Sequence, residues 1–272
     1  MGERERISMS QEQYLRCLHR RQTRILAFRL LLSVAFLALW ESAVRLHWID
    51  GFIFSSPSRV VRTFAGMWRD GSIFRHTGVT LCETLLSFAI VVALGIGAAL
   101  LLWYSAGLSE VLEPYLVVLN ALPKTALGPV FIVWIGAGTE SIIAMTIAIS
   151  VFVTILNMHV GFLSTDREKI RLMQTLGATR HQILWRLVIP ANYATLFNTL
   201  RVNVGLSWVG VIMGEFLVSK AGLGYLIVYG SQVFNMDLVM ATVLVLAVAA
   251  VVMYQLVLWL EKFFKNRLGV TQ

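Results

Sequence analysis

Residues 165–190 read TDREKIRLMQTLGATRHQILWRLVIP. The stretch is polar and amphipathic, yet it lies between two apolar runs, 141–163 and 194–217, each long enough to cross a bilayer. Its boundaries are written locally. Thr165 followed by Glu168 fits a capping box, which predicts a helix starting at Asp166. Leu172, Met173 and Leu176 give that helix an apolar face, and Gly177 is placed to end it in a left-handed turn. Thr179 followed by Gln182 is a second capping box, and Ile183, Leu184 and Leu187 form an apolar stripe that ends before Pro190. Two short helices about a glycine, set between spans, predict a docking surface for a partner at the membrane face. The same pattern also suits an amphipathic helix resting on the bilayer.

The rest of the chain supports a membrane setting. Of 272 residues, 57% are hydrophobic and only 14% charged, where a soluble domain would carry about 25%. Mean hydropathy is +0.74. The fold class is therefore all-α, a polytopic membrane protein with about six transmembrane helices. The runs are 25–44, 80–104, 111–136, 141–163, 194–217 and 238–260. The third is interrupted by Pro123, Lys124, Gly128 and Pro129, which predicts a kink or unwound turn. Residues 60–68 form an amphipathic piece between the first two spans. The chain divides into a tail (1–24), a membrane domain (25–265, with the loop 163–192) and a second tail (266–272).

The net charge of +8 comes from basic residues beside the spans, which argues for orientation and lipid headgroups rather than nucleic acid. Six spans put both termini on one side. With that side cytoplasmic, fourteen basic residues fall inside: Arg4, Arg6, Arg16, Arg20, Arg21 and Arg24 in the tail, five in the 163–192 loop, and Lys262, Lys265 and Arg267. Six fall outside, among them Arg59, Arg62, Arg69 and Arg75. The bias places both termini and the loop in the cytoplasm. Cys17 and Cys82 then lie on opposite sides and form no disulfide within one chain.

At this point the sequence resembles the membrane permease subunits of binding-protein-dependent ATP-binding-cassette importers. Their loop signature runs Glu-Ala-Ala, three residues, Gly, nine residues, then Ile-x-Leu-Pro. Here the glycine is Gly177 and the ending is Leu187-Val188-Ile189-Pro190, at the same spacing. Arg171-Leu172-Met173 stand where the signature has Glu-Ala-Ala. The resemblance runs from about Pro57 to the C-terminus and is nearest the taurine, aliphatic sulfonate and nitrate branch. It is carried by Ser56-Pro57-Ser58, Trp134-Ile135-Gly136-Ala137-Gly138, Leu176-Gly177-Ala178-Thr179-Arg180, Leu200-Arg201 through Trp208 to Glu215, and Gly222-Leu223-Gly224-Tyr225-Leu226-Ile227.

The resemblance implies a homodimer in the inner membrane of a prokaryote, two copies of a cytoplasmic ATPase that holds the ATP and Mg, and an external solute-binding protein. The ATPase-coupling residues would be Arg171, Thr175, Leu176, Gly177, Ala178, Thr179, Arg180, Ile183 and Pro190. Gly222, Gly224 and Tyr225 would form the outer gate. The solute would be a small anion such as an organic sulfonate, taurine or nitrate, or else a vitamin precursor.

Polar groups within the spans mark candidate route residues, since they are costly in hydrocarbon. Asn198, Arg201, Gly205, Trp208, Ile212 and Glu215 recur at three- and four-residue steps and predict a face along the translocation pathway. Asn203, Ser207, Gly210 and Gly214 predict a neighbouring packing stripe. Arg201 and Glu215 lie about 21 Å apart along the helix and cannot pair within it. Asn120, Lys124 and Thr125 surround the break at Pro123, where Lys124 would attract an acidic solute or snorkel at the kink.

No catalytic site is expected. The chain has no Gly-x-x-x-x-Gly-Lys-Ser/Thr loop, so it does not itself hold ATP phosphates, and no cofactor is expected in it. Its five histidines are scattered, with no two at metal-ligand spacing. An ATP-independent channel or secondary carrier is the alternative. Neither gives a reason for a capped helix pair in the Gly177-to-Pro190 frame.

Overall fold

The computed structural model describes residues 24, 25 and 27–268. Cys17, the arginines at 4, 6, 16, 20 and 21, and the last four residues of the second tail lie outside the described residues. Two compact units divide between Thr63 and Phe64. In the first, α1 (Ala27–Arg45) is an apolar helix long enough to span. Its end is tied to the start of α3 (Pro57–Arg69) by Glu41, which accepts from Arg45 Nε at 2.8 Å and from Ser58 N at 3.1 Å. Between them Asp50 caps the single turn α2 (Gly51–Phe54) through Phe52 N.

The second unit is built on α4 (Ser72–Tyr104), α7 (Thr139–Leu163) and α11 (Tyr193–Val218), all long and apolar enough to cross a membrane. Asp70 accepts from Ser72 N at 2.9 Å at the start of α4, and the Ser72 contacts hold its carboxyl below the usual carboxylate range. Hydrocarbon gives apolar side chains no reason to leave lipid, so the three helices associate through close backbone approach. A Cβ on Gly210 would stand 2.7 Å from Thr146 Cα, and one on Gly214 would stand 3.0 Å from Ile142 Cα. A Cβ on Gly95 of α4 would meet the Thr154 side chain, 2.6 Å from its Cβ. Thr146 and Thr154 satisfy their hydroxyls on carbonyls four residues back, and Thr154 also donates to Asn203 Oδ1 at 3.0 Å. The stripe Asn203, Ser207, Gly210, Gly214 is thus the seam between α11 and α7.

The interrupted run is two helices, α5 (Ala106–Ala121) and α6 (Gly128–Ile135), bent by 84° about a 3-10 turn at Lys124–Leu127. Leu122 is held extended at ψ 144 because a residue before proline avoids the helical region. Pro129 then fits the first turn of α6. After α11 come α12 (Leu223–Gln232) and α13 (Met236–Leu268). Trp208 and Val204 of α11 pack with Ala249, Met253 and Val257 of α13 and with Leu81 and Phe88 of α4. Among the described residues five helices are long and apolar enough to span, and six if the bent pair is one crossing.

Candidate functional site

The loop between α7 and α11 forms a knuckle whose every turn has a local cause. The first helix, α8, runs Arg167–Thr175. Asp166, not Thr165, is its cap, accepting from Glu168 N at 2.9 Å. The expected box at Thr165 does not form because the Thr165 hydroxyl is taken from elsewhere: Asn192 Nδ2 donates to it at 2.8 Å and to Val188 O at 2.8 Å. Both side chains are buried, and the pair clasps the two ends of the loop across 27 residues. Asn192 escaped the sequence reading; its only signal was a polar residue two positions past Pro190.

At the far end of α8, Gly177 N donates to Gln174 O at 3.0 Å and Ala178 N to Met173 O at 2.9 Å, with Gly177 at φ +78. This pair of bonds is a Schellman motif and requires the left-handed residue. Thr179 then opens α9 (Arg180–Ile183) with the box expected of it: Gln182 N donates to Thr179 Oγ1 at 3.3 Å, and Thr179 N to Gln182 Oε1 at 2.8 Å. The second helix does not stop before Pro190. It widens through a π turn at Leu184–Val188, in which Ile189 N reaches back to Leu184 O, and continues as α10 (Ile189–Ala191). The wider turn accommodates a proline that lacks the usual donor.

The knuckle has an inside and an outside. Ile183, Leu184 and Val188 are buried with Ala99 of α4 and Met158 and Phe162 of α7, which seats the loop on the spans. The outside carries Arg171, Thr175, Leu176, Gly177, Thr179 and Arg180, all exposed. Ala178 and Pro190 are half-buried. The expected apolar face of α8 is divided: Met173 packs inward, whereas Leu172 and Leu176 project at 60% and 77% exposure. The Arg180 guanidinium lies over the Tyr104 ring at 5.7 Å. Behind the knuckle a cavity of about 400 Å³ is lined by Trp103, Glu113, His159, Gln174 and Arg180.

The candidate route residues separate into two groups. Asn198 is exposed, and with Val202, Gly205, Val209, Met213 and Phe216 it forms one open strip along α11. Arg201, Trp208 and Glu215 are turned away from it. Arg201 pairs with Glu261 of α13, Trp208 lies in the α4–α13 packing, and Glu215 is buried against α4 and α12. At the break, Lys124 Nζ donates to Asn120 O at 2.8 Å and to Asn120 Oδ1 at 3.0 Å, and both residues are half-buried. The break itself faces out of the unit: α5 has no buried residue, and Val133 and Trp134 of α6 are exposed.

The turn after α11 is shaped around Glu215. Gly222 has φ +121, and a Cβ there would fall on the Glu215 carboxylate. A Cβ on Gly224 would lie 2.7 Å from Glu215 Cβ. Gly222 N donates to His76 Nδ1 at 3.0 Å and Leu223 N to Thr80 Oγ1 at 2.7 Å, so α4 holds the turn from the other side. Tyr225 stacks on His76 with centroids 6.0 Å apart.

A family model described as a binding-protein-dependent transport system inner membrane component matches residues 91–270. A probable ABC transporter permease protein of Haemophilus influenzae is 30% identical over 85% of this chain and 94% of its own length. A formylaminopyrimidine transport permease protein of Halalkalibacterium halodurans is 30% identical over 70% of this chain and 75% of its own. A putative aliphatic sulfonates transport permease protein of Bacillus subtilis is 26% identical over 80% of this chain and 79% of its own. Among solved structures, a bacterial ABC transporter involved in the import of the acidic polysaccharide alginate superposes with a TM-score of 0.63 at 16% identity, covering 93% of this chain and 98% of that one.

Proposed function

Because this chain belongs to the family of binding-protein-dependent transport system inner membrane components, we propose that it works as a homodimer driven through the Gly177 knuckle and carrying a small anion. Membership makes it a multi-pass, non-catalytic permease subunit of an ATP-driven importer, with ATP hydrolysis performed by a separate subunit and solute delivered by a binding protein. An ATP-independent channel or carrier is set aside on that ground.

The observation that carries the coupling role is the two-sided knuckle. Its inner residues are locked on α4 and α7, while Leu172, Leu176 and the turn at Gly177 stand free on the outside. A stiff element with a seated base and an exposed tip transmits displacement to the helices it joins. In this reading the knuckle and both termini are cytoplasmic, in the inner membrane, and the tip enters a groove on each ATPase. The open strip of α11 and the outward-facing break then face the same surfaces of a second copy, with the route between them. The turn at Gly222, Gly224 and Tyr225 closes the route on the outer side.

Reconstitution tests this. With the ATPase and binding protein supplied, uptake into proteoliposomes should depend on ATP, and a cysteine at Gly205, in a chain lacking Cys17 and Cys82, should cross-link one copy to another. Uptake that persists without the ATPase, or a Gly205→Cys chain that remains monomeric under oxidation, would overturn the arrangement.

Lys124 supports an anionic solute. It is the basic side chain at the break, tethered to Asn120 on one side and accessible on the other. Sulfonate relatives point the same way, whereas the formylaminopyrimidine relative supports a vitamin precursor as the second reading. For an organic sulfonate, Lys124→Gln should weaken capture from the binding protein. A charge-assisted contact is worth about 1.5–3 kcal/mol, which corresponds to roughly a tenfold or greater rise in the concentration needed for half-maximal uptake. Unchanged uptake at every sulfonate concentration removes Lys124 from the route, and failure of the partner binding protein to bind sulfonates favours the precursor.

A further inference from the structure

Glu83 of α4 and Glu215 of α11 are among the most deeply buried charged-type side chains, at 5% and 1% exposure, and both sit in spans. Three of their four oxygens receive donors from the chain. Thr80 Oγ1 donates to Glu215 Oε1 at 2.6 Å, Gly224 N to Glu215 Oε2 at 2.5 Å, and Thr139 Oγ1 to Glu83 Oε1 at 2.9 Å. Glu83 Oε2 is fully buried and receives none. The two carboxyl groups are within hydrogen-bonding reach of one another. Two carboxylates are both acceptors, so such a contact needs a proton between them, and a pair of like charges in hydrocarbon is strongly disfavoured. Among the described residues no lysine or arginine is hydrogen-bonded to either group. The nearby titratable side chains are His76 of α4 and Tyr225 of α12, stacked on each other; α7 contributes the Thr139 hydroxyl, and its Glu140 is exposed.

We propose that Glu83 and Glu215 form a proton-binding site, one proton shared between two carboxyl groups, whose occupancy clamps the Gly222–Gly224 turn onto α4 and α11. The clamp follows from what Glu215 touches: one oxygen holds Gly224 N, the other holds the threonine that itself holds Leu223 N. Loss of the proton sets two charges against each other at the base of that turn, and the turn lifts. Glu83 is then a positioning residue for the outer end of the route. It acts through Glu215 and touches no solute.

The site can be tested without any transport assay, so its failure and that of the importer reading are distinguishable. Infrared spectra of the full chain in lipid nanodiscs should show a protonated carboxyl band at neutral pH that fades as the pH rises. Glu83→Gln, whose amide can donate to Glu215 in the proton's place, should abolish that band. Hydrogen exchange at Leu223 and Gly224 amides should accelerate with pH beyond the ordinary base-catalysed rise in the unmodified chain, and lose that excess in Glu83→Gln. A chain with no such band at neutral pH, a band unchanged in Glu83→Gln, or amides without excess acceleration would each overturn the proposal. The spectra and exchange of the unmodified chain decide the matter even where the variant does not fold.

Discussion

Gly177→Val is expected to leave the chain inserted and folded while abolishing ATP-driven uptake. Gly177 stands at φ +78, and nothing lies within 4 Å of where its side chain would begin. Substitution therefore meets no steric wall; its whole cost is in the backbone. A left-handed conformation costs a β-branched residue about 1–3 kcal/mol, enough to unwind the turn but not the bundle. Once the turn unwinds, Ala178 N leaves Met173 O, the last carbonyls of α8 lose their donors, and the angle between α8 and α9 is no longer fixed. The series is ordered by conformation, not by size. Gly177→Asn should retain the most activity, because asparagine tolerates the left-handed region; Gly177→Ala should be intermediate and Gly177→Val inactive. ATP hydrolysis stimulated by the solute-loaded binding protein should fall in the same order, with membrane content constant. Full uptake by Gly177→Val would remove the knuckle from the coupling path.

The knuckle was legible in the sequence where its geometry is fixed by neighbours along the chain. The Thr179–Gln182 box and the left-handed glycine are rules spanning three or four residues, and both are realised in hydrogen bonds. The reading failed where a distant residue competes. Thr165 has the right spacing to Glu168, but Asn192 claims its hydroxyl, and Asp166 caps the helix instead. Likewise Pro190 reads as a stop. The structure keeps the helix going by inserting a π turn, which no local pattern announces.

The α11 stripes show the same division. Asn203, Ser207, Gly210 and Gly214 were legible because small residues have one use in a membrane helix, close approach. The stripe from Asn198 to Glu215 divides between two faces for a geometric reason. Its five steps cover seventeen residues, about 3.4 per step against 3.6 per turn, so it slides by roughly 100° from one end to the other. It begins on the open strip at Asn198, passes Gly205, and ends buried at Trp208 and Glu215. Glu215, a carboxylate within a span, holds the turn beyond α11, and the two glycines that leave room for it are explained by the same contact.

Gly210→Ala is expected to produce the largest loss of stability for the smallest change in the chain. Adding one methyl group to a helix interior ordinarily gains about 1 kcal/mol in helix propensity. At Gly97 of α4, where nothing lies within 4 Å, Gly97→Ala should therefore be neutral or stabilising. At Gly210 the same methyl would stand 2.7 Å from Thr146 Cα and 2.8 Å from Thr146 Oγ1. The obstacle is backbone, which cannot rotate aside, so α7 must retreat along its length. That separation disturbs the Thr154–Asn203 bond below and the approach of Gly214 to Ile142 above. Overpacking of this kind costs about 1–3 kcal/mol, against a gain at the matched control. Thermal unfolding in nanodiscs should place Gly210→Ala well below both the unmodified chain and Gly97→Ala. The effect should extend to coupling, because α7 and α11 are the two helices joined by the knuckle, and a force on its tip moves them together only while this seam is closed. Equal melting of the two alanine variants would mean that α7 and α11 do not pack as described, and the seat of the knuckle would have to be drawn again.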